Sequence, residues 1–197
     1  MPHDPEDTRR RIVDAANRLF YGQGIRPVSM DEVAEAASVT KRTLYYHFAS
    51  KEALVVAYLE HRSTRQQAGR AGSASLGSGG AMARLMAFFD SLEAQFTRGG
   101  HFRGCAFINA VAELADSEPA RLVAATHKEG TRAWFEALLR ELAVGAPQQL
   151  SEQLLLLADG ALAAWLVRRD AGAATSARDA ARVLVLAAMT NEEEVSR

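Results

Sequence analysis

Seven consecutive residues, Lys41 to His47, gather two cations, a hydroxyl, two phenols and an imidazole around a single aliphatic side chain, Leu44. At helical spacing Leu44 and Phe48 share one face. Thr40, Lys41, Arg42, Thr43, Tyr45, Tyr46 and His47 are left outside. Such a face suits DNA. Ammonium and guanidinium groups meet phosphates or guanine edges, hydroxyls meet phosphate oxygens, and Thr methyls and Tyr rings meet thymine methyls. Further on, Ser50 reads as the cap of another helix with Lys51 at its N-terminus. Backbone amides and an ammonium can together hold a phosphate there. The plain alternative, a solvated helix with a few charges, accounts poorly for two tyrosines and a histidine exposed on so short a segment.

The elements that must present this face are legible just upstream. Ser29 with Glu32 three residues on has the spacing of a capping box, and Ser29 joins the candidate DNA-facing set. Met30, Val33, Ala34 and Ala37 fall on one helical face. The small Ala34, Ala37 and Ser38 permit close approach of a second helix, Val39 plugs the turn, and Thr40 caps that second helix. Two short helices across a tight turn make a helix-turn-helix. Ahead of them, Asp4, Pro5 and Asp7 start another helix with Ile12, Ala16, Leu19 and Phe20 as its buried stripe. Gly22 and Gly24 stop it and Pro27 enforces a loop. Arg9, Arg10 and Arg11 either reach flanking phosphates or form a solvated cluster offset by Asp4, Glu6 and Asp7.

The stretch SVTKRTLYYHFASKEAL, from Ser38 to Leu54, closely resembles the DNA-binding signature of the TetR family of transcriptional regulators. The pattern is met at Val39, Thr40, Thr43, Leu44, Tyr45, His47, Phe48, Ser50, Lys51, Glu52 and Leu54. Ser38 stands where many members carry glycine. The resemblance implies a DNA-binding head over 1–50 and a C-terminal ligand-binding and dimerisation domain over 51–197. It also implies a homodimer on a pseudo-palindromic double-stranded operator, and a small-molecule effector that releases the protein from DNA, as a repressor.

Length and composition are compatible with this. The chain has 197 residues, 48% of them apolar, enough for a sizeable core. The formal net charge is −1. Residues 1–65 carry 10 Lys/Arg against 9 Asp/Glu, or +1. DNA binding must therefore rest on local placement of charge. The lone Cys105 excludes an internal disulfide. MPHDPEDTRRR lacks an apolar signal region, and no apolar run reaches a membrane-spanning length. The expectation is a cytoplasmic protein without a membrane span.

The rest of the chain reads as helices only, giving an all-α protein of about nine helices. A Gly/Ser-rich run over 69–80 reads as a flexible connector. Gly99 and Gly100 end the helix that follows it, Cys105 to Ala115 forms a short helix, and Gly145 with Pro147 ends the long one after Ser117. The last two helices, 148–170 and 176–190, are apolar nearly all round. They pair either inside one monomer or, as the resemblance implies, with a second copy. Candidate walls of a ligand pocket are Phe88, Phe89, Phe96, Phe107, Trp134 and Trp165, with Asn109, Glu113 and His127 as polar handles. The same aromatic spacing also serves a plain core. Asn109 and Glu113 are four apart, on one helical face. Cys105 joins the candidate ligand-binding set; otherwise it is either a small buried residue or a redox sensor. His101, Glu113 and His127 fit no metal-ligand spacing. Neither a cofactor motif nor a catalytic constellation appears, so an enzyme is not expected.

Overall fold

The computed structural model describes residues 4–76, 79–98 and 102–195, with side chains over 4–71, 79–98 and 102–189. Among these residues there are nine α-helices and no strand. In chain order they are α1 (Pro5–Gln23), α2 (Met30–Ala36), α3 (Lys41–His47), α4 (Lys51–Leu76) and α5 (Ala81–Thr97), then α6 (Ala106–Glu113), α7 (Glu118–Glu141), α8 (Pro147–Arg168) and α9 (Gly172–Val195). His101, Gly99 and Gly100 lie outside the described residues. The helices gather into two compact units. One holds the residues up to Gly69 with Ala106–His127; the other holds Arg70–Cys105 with the residues from Lys128 on.

In the first unit Asp4 caps α1 by accepting the Glu6 amide at 3.0 Å, with Pro5 in the first turn. Ile12, Ala16 and Phe20 are buried; α2 packs on α1, and α3 on α2. Phe20 meets Tyr58 of α4 edge-on at 5.7 Å. Arg62 lies 4.1 Å over the Tyr21 ring and donates to Asn17 at 3.0 Å, fastening α4 to α1. Phe107 and Ala110 of α6 and Ala120 and Ala124 of α7 are buried in the same unit. Residues 1–50, expected as the head, lie within this unit.

Two helix ends differ from expectation. Helix α4 continues to Leu76, through most of the run read as a connector. Adding a residue to an existing helix costs little once the nucleus exists, so Gly69 and Gly72 weaken α4 without stopping it; residues 77 and 78 lie outside the described set. Helix α7 ends at Glu141, ahead of Gly145. Ala143 takes a left-handed φ of 55°, and the Val144 amide reaches back to the Leu139 carbonyl at 3.1 Å.

The second unit is built on α5, the later part of α7, α8 and α9. Leu85, Phe89, Leu138, Leu139, Leu154 and Val185 are fully or almost fully buried in its core. The same unit holds an ion cluster centred on the buried Glu136. Arg132 donates to Glu136 at 2.6 Å and to Ser151 of α8 at 3.1 Å, and Arg140 pairs with the same Glu136. Hydrogen bonds to the Glu129 and Glu136 carboxylates push the Arg132 pKa up. By length and composition α8 could cross a membrane. Its buried Leu150, Leu154, Ala158, Ala161 and Trp165, its contacts with α5 and α9, and the Lys128–Asp159 ion pair are those of a core helix.

One face of α8 is left bare. Leu156, Gly160, Ala163 and Val167, spaced four, three and four apart, are all exposed, Val167 to 83%. On α9, Val183, Leu184 and Leu186 are exposed as well. An open groove between the two helices is lined by Leu156, Leu157, Gly160, Ala161, Ala164 and Leu184, among others.

Candidate nucleic-acid interface

Both helices of the helix-turn-helix are capped by their own side chains. The Ser29 hydroxyl accepts the Glu32 amide at 3.2 Å, and the Glu32 carboxylate accepts the Ser29 amide at 2.7 Å. That return bond holds the Glu32 carboxyl below its ordinary range. Thr40 accepts the Thr43 amide at 3.1 Å, and the two threonine hydroxyls lie 2.8 Å apart. Ser29 and Thr40 therefore organise backbone before they can meet any phosphate. Helices of seven residues are too short to persist alone, so these caps and the packing beneath them carry the motif.

The turn between the helices is held from α1. Arg11 donates to the Ala37 carbonyl at 2.6 Å and the Ser38 carbonyl at 3.0 Å; Arg18 reaches the Ala36 carbonyl at 3.5 Å. Cations here complement the negative end of α2. Of the basic cluster weighed for flanking phosphates, Arg11 is thus spent on the turn. Arg10 pairs with Asp7, and Arg9 sits 5.1 Å over the Phe48 ring. Ser38 adopts φ 54°, the left-handed conformation that glycine takes freely. We expect Ser38→Gly to stabilise the head by about 0.5–1 kcal/mol, the relief of left-handed strain less the added chain entropy. A thermal melt no higher than that of the parent would contradict this.

On α3, Leu44 is fully buried and Phe48 nearly so, while Tyr46 is 82% exposed and Tyr45 43%. Tyr46 and the half-buried His47 meet edge-on at 5.2 Å. Lys41 forms an ion pair with Asp31 of α2 at 2.9 Å, which pushes its pKa up. Arg42 is exposed and makes no hydrogen bond or ion pair among the described residues. Lys51 is half-buried at the start of α4 and donates to the Arg26 carbonyl at 3.1 Å. Burial pushes its pKa down, opposed by the nearby Glu113 and Glu32. Ser50 caps α4 by accepting the Ala53 amide at 3.1 Å.

The residues proposed for a ligand pocket divide between the two units. Phe88, Phe89, Phe96, Cys105, Trp134 and Trp165 belong to the second; Phe107, Asn109, Glu113 and His127 belong to the first. In the second unit the rings pack on one another. Phe88 meets Phe135 at 4.9 Å, and Phe96 stacks on Trp165 at 5.3 Å. Phe89, Phe96 and Trp165 are core, while Phe88 and Trp134 are only partly buried. In the first unit His127 is buried and stacks flat on Phe107 at 3.7 Å. Its Nδ1 lies 2.9 Å from the Ser63 hydroxyl, which also accepts from Gln67 at 3.1 Å. The Ser63 proton is therefore free to point at Nδ1. Asn109 is half-buried on α6, and Cys105, one residue ahead of that helix, is half-buried too.

Glu113, expected with Asn109 as a polar handle for ligand, ends α6. Its carboxylate accepts the Ile25 amide at 2.6 Å and the Arg26 amide at 2.9 Å, in the loop between α1 and α2. Glu113 and residue 25 are 88 positions apart, and nothing in the local sequence signals this contact. The same holds for Asp31 on Lys41. No group of three or more His, Cys, Asp or Glu side chains able to hold a metal ion occurs among the described residues.

Residues 12–58 match the model of the bacterial regulatory proteins, tetR family. The HTH-type transcriptional repressor NemR of Escherichia coli strain K12 is 28% identical over 114 residues, 58% of this chain and 57% of that protein. The chain thus aligns with little more than half the length of this curated relative. Solved structures match over almost the whole chain. A TetR-family transcriptional regulator from Streptomyces coelicolor is 28% identical with a TM-score of 0.83, covering 93% of this chain and 97% of that one. The reduced form of Escherichia coli NemR is 25% identical with a TM-score of 0.82, covering 89% and 95%.

Proposed function

We propose, from the premise that this chain belongs to the TetR family of bacterial regulatory proteins and is a DNA-binding transcriptional regulator, that it is a cytoplasmic homodimeric repressor released from its operator by a small apolar or amphipathic molecule. The observation that carries the DNA half of this reading is the outer face of α3. It is rigidly capped and buried on one side, and it offers Arg42, Tyr45 and Tyr46 to solvent on the other.

In this reading α3 enters the major groove. Arg42, free of internal partners, contacts a guanine edge or a phosphate. Lys41 contacts DNA by exchanging Asp31 for it. Thr40, Thr43, Tyr45, Tyr46, His47, Ser29 and Lys51 serve mainly phosphates and register. The α8–α9 faces of two copies pair, so the operator is pseudo-palindromic, with half-sites roughly 34–36 Å apart or a multiple of that. The effector occupies the C-terminal part of the chain. It acts by binding the released state more tightly than the DNA-bound one, which is a population shift.

The test is binding to the DNA upstream of the gene and its neighbours, titrated with salt. Arg42→Ala should weaken operator binding by about 5- to 150-fold and relax preference at one base pair in each half-site. Wild-type affinity in the variant would remove Arg42 from the interface. A second reading, thiol sensing through Cys105, is favoured by the half-exposure of that thiol and by similarity to a regulator solved in a reduced form. An oxidant response that persists in Cys105→Ser eliminates it.

A further inference from the structure

We propose that Glu113 is a positioning residue for DNA reading: its carboxylate, at the end of α6, fixes the α1–α2 loop from which the helix-turn-helix starts. The inference rests on the DNA-binding reading above. Three bonds join the two segments. The Glu113 carboxylate takes the consecutive amides of Ile25 and Arg26, and the Arg26 guanidinium returns a bond to the Glu113 backbone carbonyl at 2.6 Å. Two successive amides aimed at one point form a small anion-binding concavity. Here the anion is supplied by the chain itself. The carbonyl end of α6 in turn receives a cation, as its dipole favours.

The loop is shaped for this occupant. Gly24 holds φ 102°, and a Cβ there would lie 3.2 Å from the Glu113 carboxylate oxygen. Ile25 and Val28 are buried, which fixes the loop on its inner side. Lys51, a candidate phosphate contact, donates to the Arg26 carbonyl at 3.1 Å. Glu113 and Lys51 therefore both hold the backbone of Arg26. That segment leads directly into Ser29, the cap of α2. Release of Glu113 leaves two amides without an acceptor and frees the entry to α2, and with it the platform on which α3 rests.

The experiment compares the full-length parent with Glu113→Ala, Glu113→Gln and Glu113→Asp. Operator affinity, its salt dependence and amide exchange at Ile25 and Arg26 are measured. Glu113→Ala should bind operator about tenfold more weakly, with an unchanged slope against salt because no phosphate contact is lost. Exchange at the two amides should accelerate in parallel. Gln, which keeps one acceptor oxygen at the same reach, should restore most of the affinity; Asp, one methylene shorter, should not. Parent-like affinity and exchange in the Ala or Asp variant would overturn the proposal. So would a loss of affinity that only tracks the unfolded fraction in a melt. Failure of the parent itself to bind operator would sink the DNA-binding reading instead, while the exchange measurement would still report on the Glu113 contacts.

Discussion

Leu156→Glu and Val183→Glu, each made singly, are expected to yield a folded monomer that binds operator about 100- to 10,000-fold more weakly than the parent. Both side chains are largely exposed on the single chain, at 64% and 66%. A carboxylate at either position therefore costs the monomer almost nothing. In the proposed α8–α9 pairing of two copies the same carboxylate would be buried without a partner among apolar side chains, where uncompensated charge is costly. The loss at DNA follows from linkage. A dimer binds its second half-site intramolecularly, and a monomer forfeits that effective concentration. Sedimentation and operator binding should change together. A variant that remains dimeric with full affinity would place the subunit interface elsewhere.

Leu44→Ala should abolish operator binding while leaving the second unit folded. Leu44 is the one buried residue within α3, and it is fully buried. Truncating such a leucine costs about 2–5 kcal/mol. A helix of seven residues has no intrinsic stability to set against that loss. The expected signature is two-step unfolding, with a lowered first transition and an unchanged second. Fluorescence of Trp134 and Trp165, both in the second unit, should report only the later step. A single lowered transition by every probe would mean that the two units unfold as one.

Much of the head is legible in the sequence alone. Ser29 with Glu32, Thr40 with Thr43, and Leu44 with Phe48 are contacts within four residues. Helical geometry fixes such spacings whatever surrounds them. The all-α class and the apolar character of α8 and α9 are legible for the same reason. Contacts between residues distant in sequence whose acceptors or donors are backbone are not. Arg11 on the Ala37 and Ser38 carbonyls and Glu113 on the Ile25 and Arg26 amides leave no trace in residue type, because every residue carries a carbonyl and nearly every one an amide. The aromatic residues are ambiguous in a different way. Phe89 and Trp165 sit at spacings that a core and a pocket demand equally, and both are buried among other core side chains. The run after Ala68 misleads because its glycines and serines describe a flexible chain in isolation, whereas a helix already under way carries them along.

The composition of the first unit bears on how such proteins can be recombined. Its compact body takes in α6 and the opening turns of α7 as well as the residues up to Gly69. A cut after α3 would lay bare Leu54, Val55, Tyr58 and Leu59, and a cut after Gly69 would still remove the fully buried Phe107 and the Glu113 contacts. The first unit, transplanted from this chain onto another protein, therefore has to travel as two discontinuous pieces, 4–69 and 106–127. Recombination at a single crossover in the first third of the sequence would yield chimaeras whose α3 is intact in sequence and unsupported in space.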